Sequence, residues 1–185
     1  MRYFLVVILA FVVIACNDEV TIKPNSQLRL EYPAPEYESI DKELPYSFKK
    51  NKEASVISKR NKGVNLKYSK MKATIYITYQ KVNNGQNIDS LLYDAQKLTY
   101  DHTVKAESIL EQPRVDSIND VYGMFYMING NAATHSQFYV TDSVNHFVTG
   151  SLYFDIKPNY DSLYPAIVYL RNDVRTLMET IEWKK

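Results

Sequence analysis

The residue types of a hydrolytic triad come together in Thr141-Asp142-Ser143 and His146. A hydroxyl nucleophile requires a base and an orienting carboxylate in fixed geometry, whereas Asp and Ser between two strands are ordinary turn residues. The other histidines, His102 and His135, stand in no metal-ligand spacing such as H-E-x-x-H. We therefore expect no catalytic site, no bound metal and no cofactor. A hydrolase that uses one of the three histidines is the alternative, and it requires a carboxylate and a hydroxyl beside the ring.

Cys16, the single cysteine, closes a segment with the layout of a secretory signal. Arg2 precedes an apolar run of residues 3–15, and the run ends in Val13-Ile14-Ala15-Cys16, which resembles the lipobox of bacterial lipoproteins. Thirteen apolar residues span about 20 Å as a helix, too little for a hydrocarbon core of roughly 30 Å. We predict that residues 1–15 are a cleaved signal peptide and that Cys16 carries the lipid. A lone cysteine also excludes an internal disulfide.

Charge divides the chain after Cys16 into zones. Residues 16–48 hold seven acidic and three basic side chains with four prolines, which predicts a tether with short extended pieces. Residues 49–72 hold nine basic side chains and one acidic, and we expect a solvated basic loop region. The alternative for this segment is a binding module for anionic peptidoglycan or lipopolysaccharide. The mature chain is close to neutral, so we expect neither nucleic acid nor a small-molecule substrate as a ligand.

Residues 73–185 carry the periodicity of a folded body. Four runs are typical of strands, the last three joined by short turns: residues 73–80, 121–128, 136–141 and 146–156. Apolar spacing of three and four predicts a helix over residues 87–110 and another that opens at Asp161 or Ser162. Short links favour an antiparallel meander. The order predicts a single α+β domain, mainly an antiparallel sheet with two packed helices.

Short motifs spread over this body resemble one known family. They include Tyr100-Asp101-His102-Thr103-Val104-Lys105-Ala106, Val121-Tyr122-Gly123, Gly130-Asn131-Ala132-Ala133, Thr141-Asp142-Ser143, Gly150-Ser151-Leu152-Tyr153-Phe154 and Glu179-Thr180-Ile181-Glu182-Trp183-Lys184. Together with the lipobox, these are similar to the gliding motility lipoprotein GldD family of Bacteroidetes. One departure is Leu44, where the family pattern has a cysteine before its Pro-Tyr-Ser-Phe element.

The resemblance implies an accessory lipoprotein of the gliding apparatus that is tied to type IX secretion and has no enzymatic activity or cofactor. Its implied partners are other envelope proteins of that machinery, another lipoprotein among them, and it contacts the membrane through its lipid anchor. Asn17-Asp18-Glu19, directly after Cys16, resembles the surface-export signal of some Bacteroidetes lipoproteins. We expect the outer membrane, with the periplasmic leaflet first and the cell surface second.

Polar and aromatic residues in the densest motif blocks are our candidates for contacting a partner. They are Tyr100, His102, Lys105, Asn131, Asp142 and His146. Exposed groups of this kind offer large contact area and directional hydrogen bonds. The alternative for Asn131 and Asp142 is that they only cap turns.

Overall fold

The structure, a computed structural model, describes residues 32–40, 43–59 and 61–184. The strands of this described part are β1 (Tyr37–Ser39), β2 (Tyr46–Ser47), β3 (Lys49–Asn51), β4 (Ser55–Ser58), β5 (Val64–Tyr68), β6 (Ala73–Lys81), β7 (Ala106–Asp116), β8 (Val121–Gly130), β9 (Thr134–Thr141), β10 (His146–Phe154) and β11 (Glu182–Trp183). The α-helices are α1 (Ile88–Tyr100) and α2 (Tyr160–Glu179), and short 3-10 helices cover Ser69–Met71 and Asp101–Val104. The predicted signal peptide and the lipidation site at Cys16 lie outside the described residues.

Seven antiparallel strands form the main sheet in the order β4-β5-β6-β10-β9-β8-β7. The consecutive strands β8, β9 and β10 are neighbours, which confirms the predicted meander. β10 joins it to β6 through pairs that run from Ala73 with Phe154 to Lys81 with His146. Two short ribbons, β1 with β3 and β2 with β11, complete the described strands. The α+β class predicted from the sequence is confirmed.

Helix α2 closes one face of this sheet. Its buried side follows the predicted spacing of three and four residues. The buried residues are Leu163, Ala166, Ile167, Leu170, Asp173, Val174, Leu177 and Met178. Several of them share one core with Ile75, Phe125 and Phe138 of the strands. Asn159 caps the helix by accepting a hydrogen bond from the Ser162 N–H at 3.3 Å, so the helix opens close to the predicted start.

Helix α1 lies on the opposite face and is packed much more loosely. Successive strand residues point to opposite faces, and Phe138 of β9 belongs to the core beneath α2. Its neighbour Gln137 accepts a hydrogen bond from the Thr99 hydroxyl of α1 at 2.7 Å. Thr99 is the buried residue of this helix, while Tyr93 and Leu98 are exposed. Neither described helix combines the length and the apolar character needed to span a bilayer.

The predicted helix over residues 87–110 is wrong beyond Tyr100. α1 ends there, and the chain continues after a 3-10 turn as β7, which pairs with β8. The apolar spacing already weakens after Leu98, and the charged residues of β7 conceal its alternation. Pro113 lies inside this strand rather than at a helix end. An edge strand tolerates proline because the missing N–H can face away from the sheet.

The structure also differs from the expected basic loop over residues 49–72. β3, β4 and β5 lie in this stretch, and β5 buries Val64, Leu66 and Tyr68 in the core. Lys67, between two of these buried residues, is exposed. Because strand side chains alternate between faces, lysines on the outward positions give a basic composition to a segment that still contributes to the core.

The described part of the expected tether, residues 32–40 and 43–48, is packed into the fold. Tyr46 and Phe48 are 0% and 2% exposed. The acidic and basic zones meet here in two ion pairs, Lys50–Glu38 at 2.6 Å and Lys52–Glu36 at 2.8 Å. The opposite charges of the two zones are therefore partly matched to one another.

A buried carboxylate fixes the same segment on α2. Asp173 is 3% exposed, and it accepts hydrogen bonds from the Tyr37 hydroxyl at 2.7 Å and the Asn51 amide at 3.0 Å. Burial raises the pKa of Asp173, and these donors oppose that effect. This contact escapes sequence analysis because an aspartate beside an apolar stripe usually faces water.

Candidate interaction sites

The structure separates the candidate interaction residues between two ends of the sheet. Lys105 precedes β7 and Asn131 follows β8, so both lie at one end of that hairpin. Asp142 and His146 lie at the turn between β9 and β10, at the opposite end. Strands of this length hold the two ends roughly 30 Å apart. The candidate residues therefore do not form a single contact face.

A groove of about 760 Å³ opens at the β9–β10 end, and we call it the turn groove. Residues from three segments line it: the β7–β8 turn, the β9–β10 turn and the C-terminal residues 182–184. Ile118 and Val144 at its border are 93% and 47% exposed. The sequence predicts the turn that holds Asp142 and His146, but it does not indicate that Ile118 and Trp183 lie beside this turn, because their meeting depends on long-range strand pairing.

Asp142 organises the β9–β10 turn. Its Oδ1 accepts hydrogen bonds from the main-chain N–H groups of Val144 at 3.0 Å, Asn145 at 2.8 Å and His146 at 2.8 Å. Burial acts to raise the pKa of Asp142, but these three donors hold it below the ordinary value. The geometry therefore gives Asp142 the turn-capping role that was the alternative expectation.

The ring of His146 is held between aromatic side chains. Its Nδ1 lies 3.0 Å from the Tyr79 hydroxyl, and its ring stacks on Trp183 with centroids 5.0 Å apart and planes at 11°. The Trp183 indole N–H donates to the main-chain oxygen of Asp120 at 2.9 Å. Because Asp142 binds main-chain amides instead of this ring, the triad residue types do not form the Asp–His pair that a relay needs.

The other two histidines are embedded in the fold. His135 is 1% exposed, its ring lies beside Phe154 and Tyr160 with centroids 5.8 and 5.7 Å away, and burial lowers its pKa to about 4. Burial also lowers the pKa of His102. Among residues 32–40, 43–59 and 61–184, no three His, Cys, Asp or Glu side chains gather as metal ligands.

Tyr100, His102 and Lys105 lie where α1 passes into β7, and we call residues 88–118 the α1–β7 surface. The Tyr100 hydroxyl donates to the Glu111 carboxylate of β7, and its ring meets Tyr126 edge-on at 6.3 Å. Lys105 is exposed. Tyr100 therefore fixes the helix end on the strand, while Lys105 is available at the surface.

Asn131 has a structural contact of its own. Its Oδ1 accepts the main-chain N–H of Tyr160 at 2.9 Å, which ties the β8–β9 turn to the start of α2. Next to it, Asn129 accepts hydrogen bonds from the Tyr160 hydroxyl at 2.9 Å and from Arg171 at 2.8 Å. A role for Asn131 in contacting a partner stays a prediction.

The basic segment 49–72 is less available as a polyanion site than its composition indicates. Besides the two ion pairs already described, Lys70 pairs with Glu53 at 2.9 Å. The Lys62 ammonium donates to the main-chain oxygen of Glu43 at 3.3 Å. The number of lysines free to meet an anionic polymer is correspondingly reduced.

Similarity to known proteins identifies the family of this chain. No curated protein matches the chain. The family model described as gliding motility lipoprotein GldD matches residues 17–183, which include both ends of the sheet and the N-terminal strands. With nearly its full length matched, this chain belongs to the gliding motility lipoprotein GldD family.

Proposed function

We propose that this protein is a non-enzymatic accessory lipoprotein that supports gliding motility and type IX secretion by contacting another envelope protein. One observation carries the proposal: large apolar side chains are exposed where α1 passes into β7, among them Leu98, Tyr100 and Val104, which are 48%, 42% and 82% exposed. Exposed apolar groups that lie together mark sites where proteins associate. Three of the candidate residues from the sequence lie on the same surface.

The lipid anchor sets where this contact takes place. We place the lipid on Cys16 and the body at the outer membrane, with the periplasmic leaflet favoured over the cell surface. The chain from Cys16 to Tyr32 can reach at most about 55 Å. The partner is therefore within a short distance of the bilayer, and Cys16→Ala is expected to move the protein from the membrane to the soluble fraction.

The function is tested in the native host by deleting the gene and complementing it with variants. Val104→Ser and Lys105→Ala remove exposed groups of the α1–β7 surface without touching the core. Matched controls make the same changes elsewhere on the surface, at Val168 of α2, which is 40% exposed, and at the exposed Lys157. The measurements are secretion of a type IX cargo protein, spreading on agar and the amount of the protein in membranes.

Deletion is expected to abolish secretion of the cargo, and the control variants are expected to restore it. Val104→Ser and Lys105→Ala are expected to reach normal protein levels and still secrete several-fold less. Normal secretion in the deletion strain contradicts the proposed function. Normal secretion in both α1–β7 variants, with a clear defect in the deletion strain, contradicts the choice of surface.

A further inference from the structure

Strand β7 is the longer of the two free edges of the main sheet. Among the described strands the sheet ends with β4 on one side and β7 on the other. β4 has four residues, whereas β7 has eleven. An edge strand presents main-chain N–H and C=O groups that can bond a further strand. β7 therefore offers a backbone template of useful length.

Apolar side chains accompany this edge on both faces of the sheet. Leu110 and Val115 of β7 are 52% and 68% exposed, and Val104 just before the strand is 82% exposed. Successive strand residues point to opposite faces, so Leu110 and Val115 lie on different sides of the strand. A strand added beside the first part of β7, before Pro113, would cover part of Leu110.

The unpaired charge on the α1–β7 surface is mainly acidic. Two of its basic side chains are already engaged, in the pairs Lys97–Asp101 at 3.1 Å and Arg114–Asp116 at 2.8 Å. Glu107 and Glu111 add carboxylates on β7 itself, and Asp89 and Asp94 add two more on α1. A segment that carries lysine or arginine beside its apolar residues matches this surface in charge.

We propose that the free edge of β7 binds an extended segment of a partner protein, with alternating apolar and basic residues, as an additional antiparallel or parallel strand. Main-chain hydrogen bonds to β7 provide affinity, and the apolar and basic side chains provide selectivity. This inference rests on the proposed function, because it names the chemistry of the partner that the accessory role requires.

The edge is suited to pairing over the first part of the strand. Pro113 has no N–H and so interrupts the row of donors. A register shift lies between Ala106 and Ser108, which leaves residues 108–112 as the regular stretch before Pro113. A further strand bonded to this stretch lies about 4.8 Å from β7, close to Leu110.

A second copy of this chain is a less favourable partner for the free edge of β7. Pairing β7 with β7 of another copy sets one acidic edge against another, which costs energy. Pairing β7 with the opposite edge offers only the four residues of β4. Neither arrangement uses the charge of the α1–β7 surface.

The experiment is site-specific photocrosslinking of the full-length protein in cells of the native host. p-Benzoylphenylalanine replaces Leu110 on β7 in one strain and Ile57 on β4 in a matched control strain. The two side chains are 52% and 48% exposed on opposite edges of the sheet. A third strain combines the Leu110 probe with Glu107→Lys. Mass spectrometry identifies the crosslinked peptide.

The Leu110 probe is expected to give one main adduct with another envelope protein, through a peptide that has lysine or arginine within a few residues of the crosslink. Glu107→Lys is expected to reduce this adduct at least threefold, and the Ile57 probe is expected to lack it. An adduct with lipid, with glycan or with a second copy, an adduct indifferent to Glu107→Lys, or no adduct at Leu110 overturns the inference. If one of these results is obtained and the chain without a probe still restores secretion, the proposed accessory function is retained and only the role of the β7 edge is rejected.

Discussion

His135 is a histidine that folding holds in its neutral form. Burial lowers its pKa to about 4 from an ordinary 6.5, with Arg171 and His102 adding repulsion. As pH falls below about 6.5, this residue binds a proton in the unfolded chain, whereas in the folded chain it binds one only near pH 4. Stability is therefore lost between these values. Each pKa unit is worth about 1.4 kcal/mol, so the loss from this residue between pH 7 and pH 4.5 is about 2–3 kcal/mol.

Urea unfolding of the wild type and of His135→Gln at both pH values measures that loss. The wild type is expected to lose about 2–3 kcal/mol more stability than the variant on acidification, because the side chain at position 135 titrates only in the wild type. Carboxylates affect both proteins equally, so the comparison isolates the ring. Parallel stability profiles for the two proteins would show that the pKa of His135 is not lowered by folding.

Asp173 is one of the residues that join the N-terminal strands to α2. Asp173→Ala removes the acceptor for the Tyr37 hydroxyl and for one of the two hydrogen bonds of the Asn51 amide. The other bond of that amide, to the Tyr169 hydroxyl, is kept, but buried donor groups lose a partner. A buried donor left in this way costs about 1–3 kcal/mol, so the free energy of unfolding is expected to fall by about 2–3 kcal/mol. Glu179→Ala, an exposed acid on the same helix, is the control and is expected to change it by under about 0.5 kcal/mol.

The contacts of individual side chains were the hardest feature to predict from the sequence. Asp142 and Asn131 are turn-type residues, and the structure gives each main-chain N–H partners. Trp183 has no sequence neighbour that points to His146, yet the two rings stack. The contacts Asn131–Tyr160 and His146–Trp183 join residues far apart in the chain, and residue type alone does not specify them.

Among the elements, those with a clear period could be predicted and those with mixed faces could not. α2 has an apolar stripe over five turns, and both its existence and its start followed from the sequence. β7 exposes most of its residues and carries Pro113 and four charged side chains, so neither alternation nor composition indicates a strand. β5 was obscured in the same way by the lysines on its outward face.

The close pairing of β9 and β10 leads to a prediction for Gly150. A Cβ at this position would lie 2.0 Å from Cε1 of Phe138, its partner on the neighbouring strand. Gly150→Ala therefore forces the ring out of its place in the core, and overpacking of this kind costs about 1–3 kcal/mol. Ser151→Ala, at the next position, is expected to cost under about 0.5 kcal/mol. Equal denaturation midpoints for the two variants would contradict this view of the contact.

At the scale of the molecule, the order of the strands determines which residues lie near one another, and the sequence pattern does not specify that order. The motif blocks around Lys105 and Asp142 both belong to the predicted folded body, but the sheet places them at opposite ends. The acidic zone before residue 49 and the basic zone after it are distinct in composition, but they meet through Lys50–Glu38 and Lys52–Glu36. The fold class was predictable from local periodicity, whereas the sites depend on long-range pairing.

The N-terminal strands are expected to be indispensable for folding, although the sequence places the folded body at residues 73–185. A fragment of those residues lacks eight core residues of the complete chain, and five of them are at most 2% exposed: Tyr46, Phe48, Val64, Leu66 and Tyr68. Each contributes about 1.5–3 kcal/mol, and together they rival a total stability of about 5–15 kcal/mol. Circular dichroism with urea titration is expected to show cooperative unfolding for residues 32–185 and none for residues 73–185. Cooperative unfolding of the shorter fragment would mean that the main sheet is stable without β4 and β5.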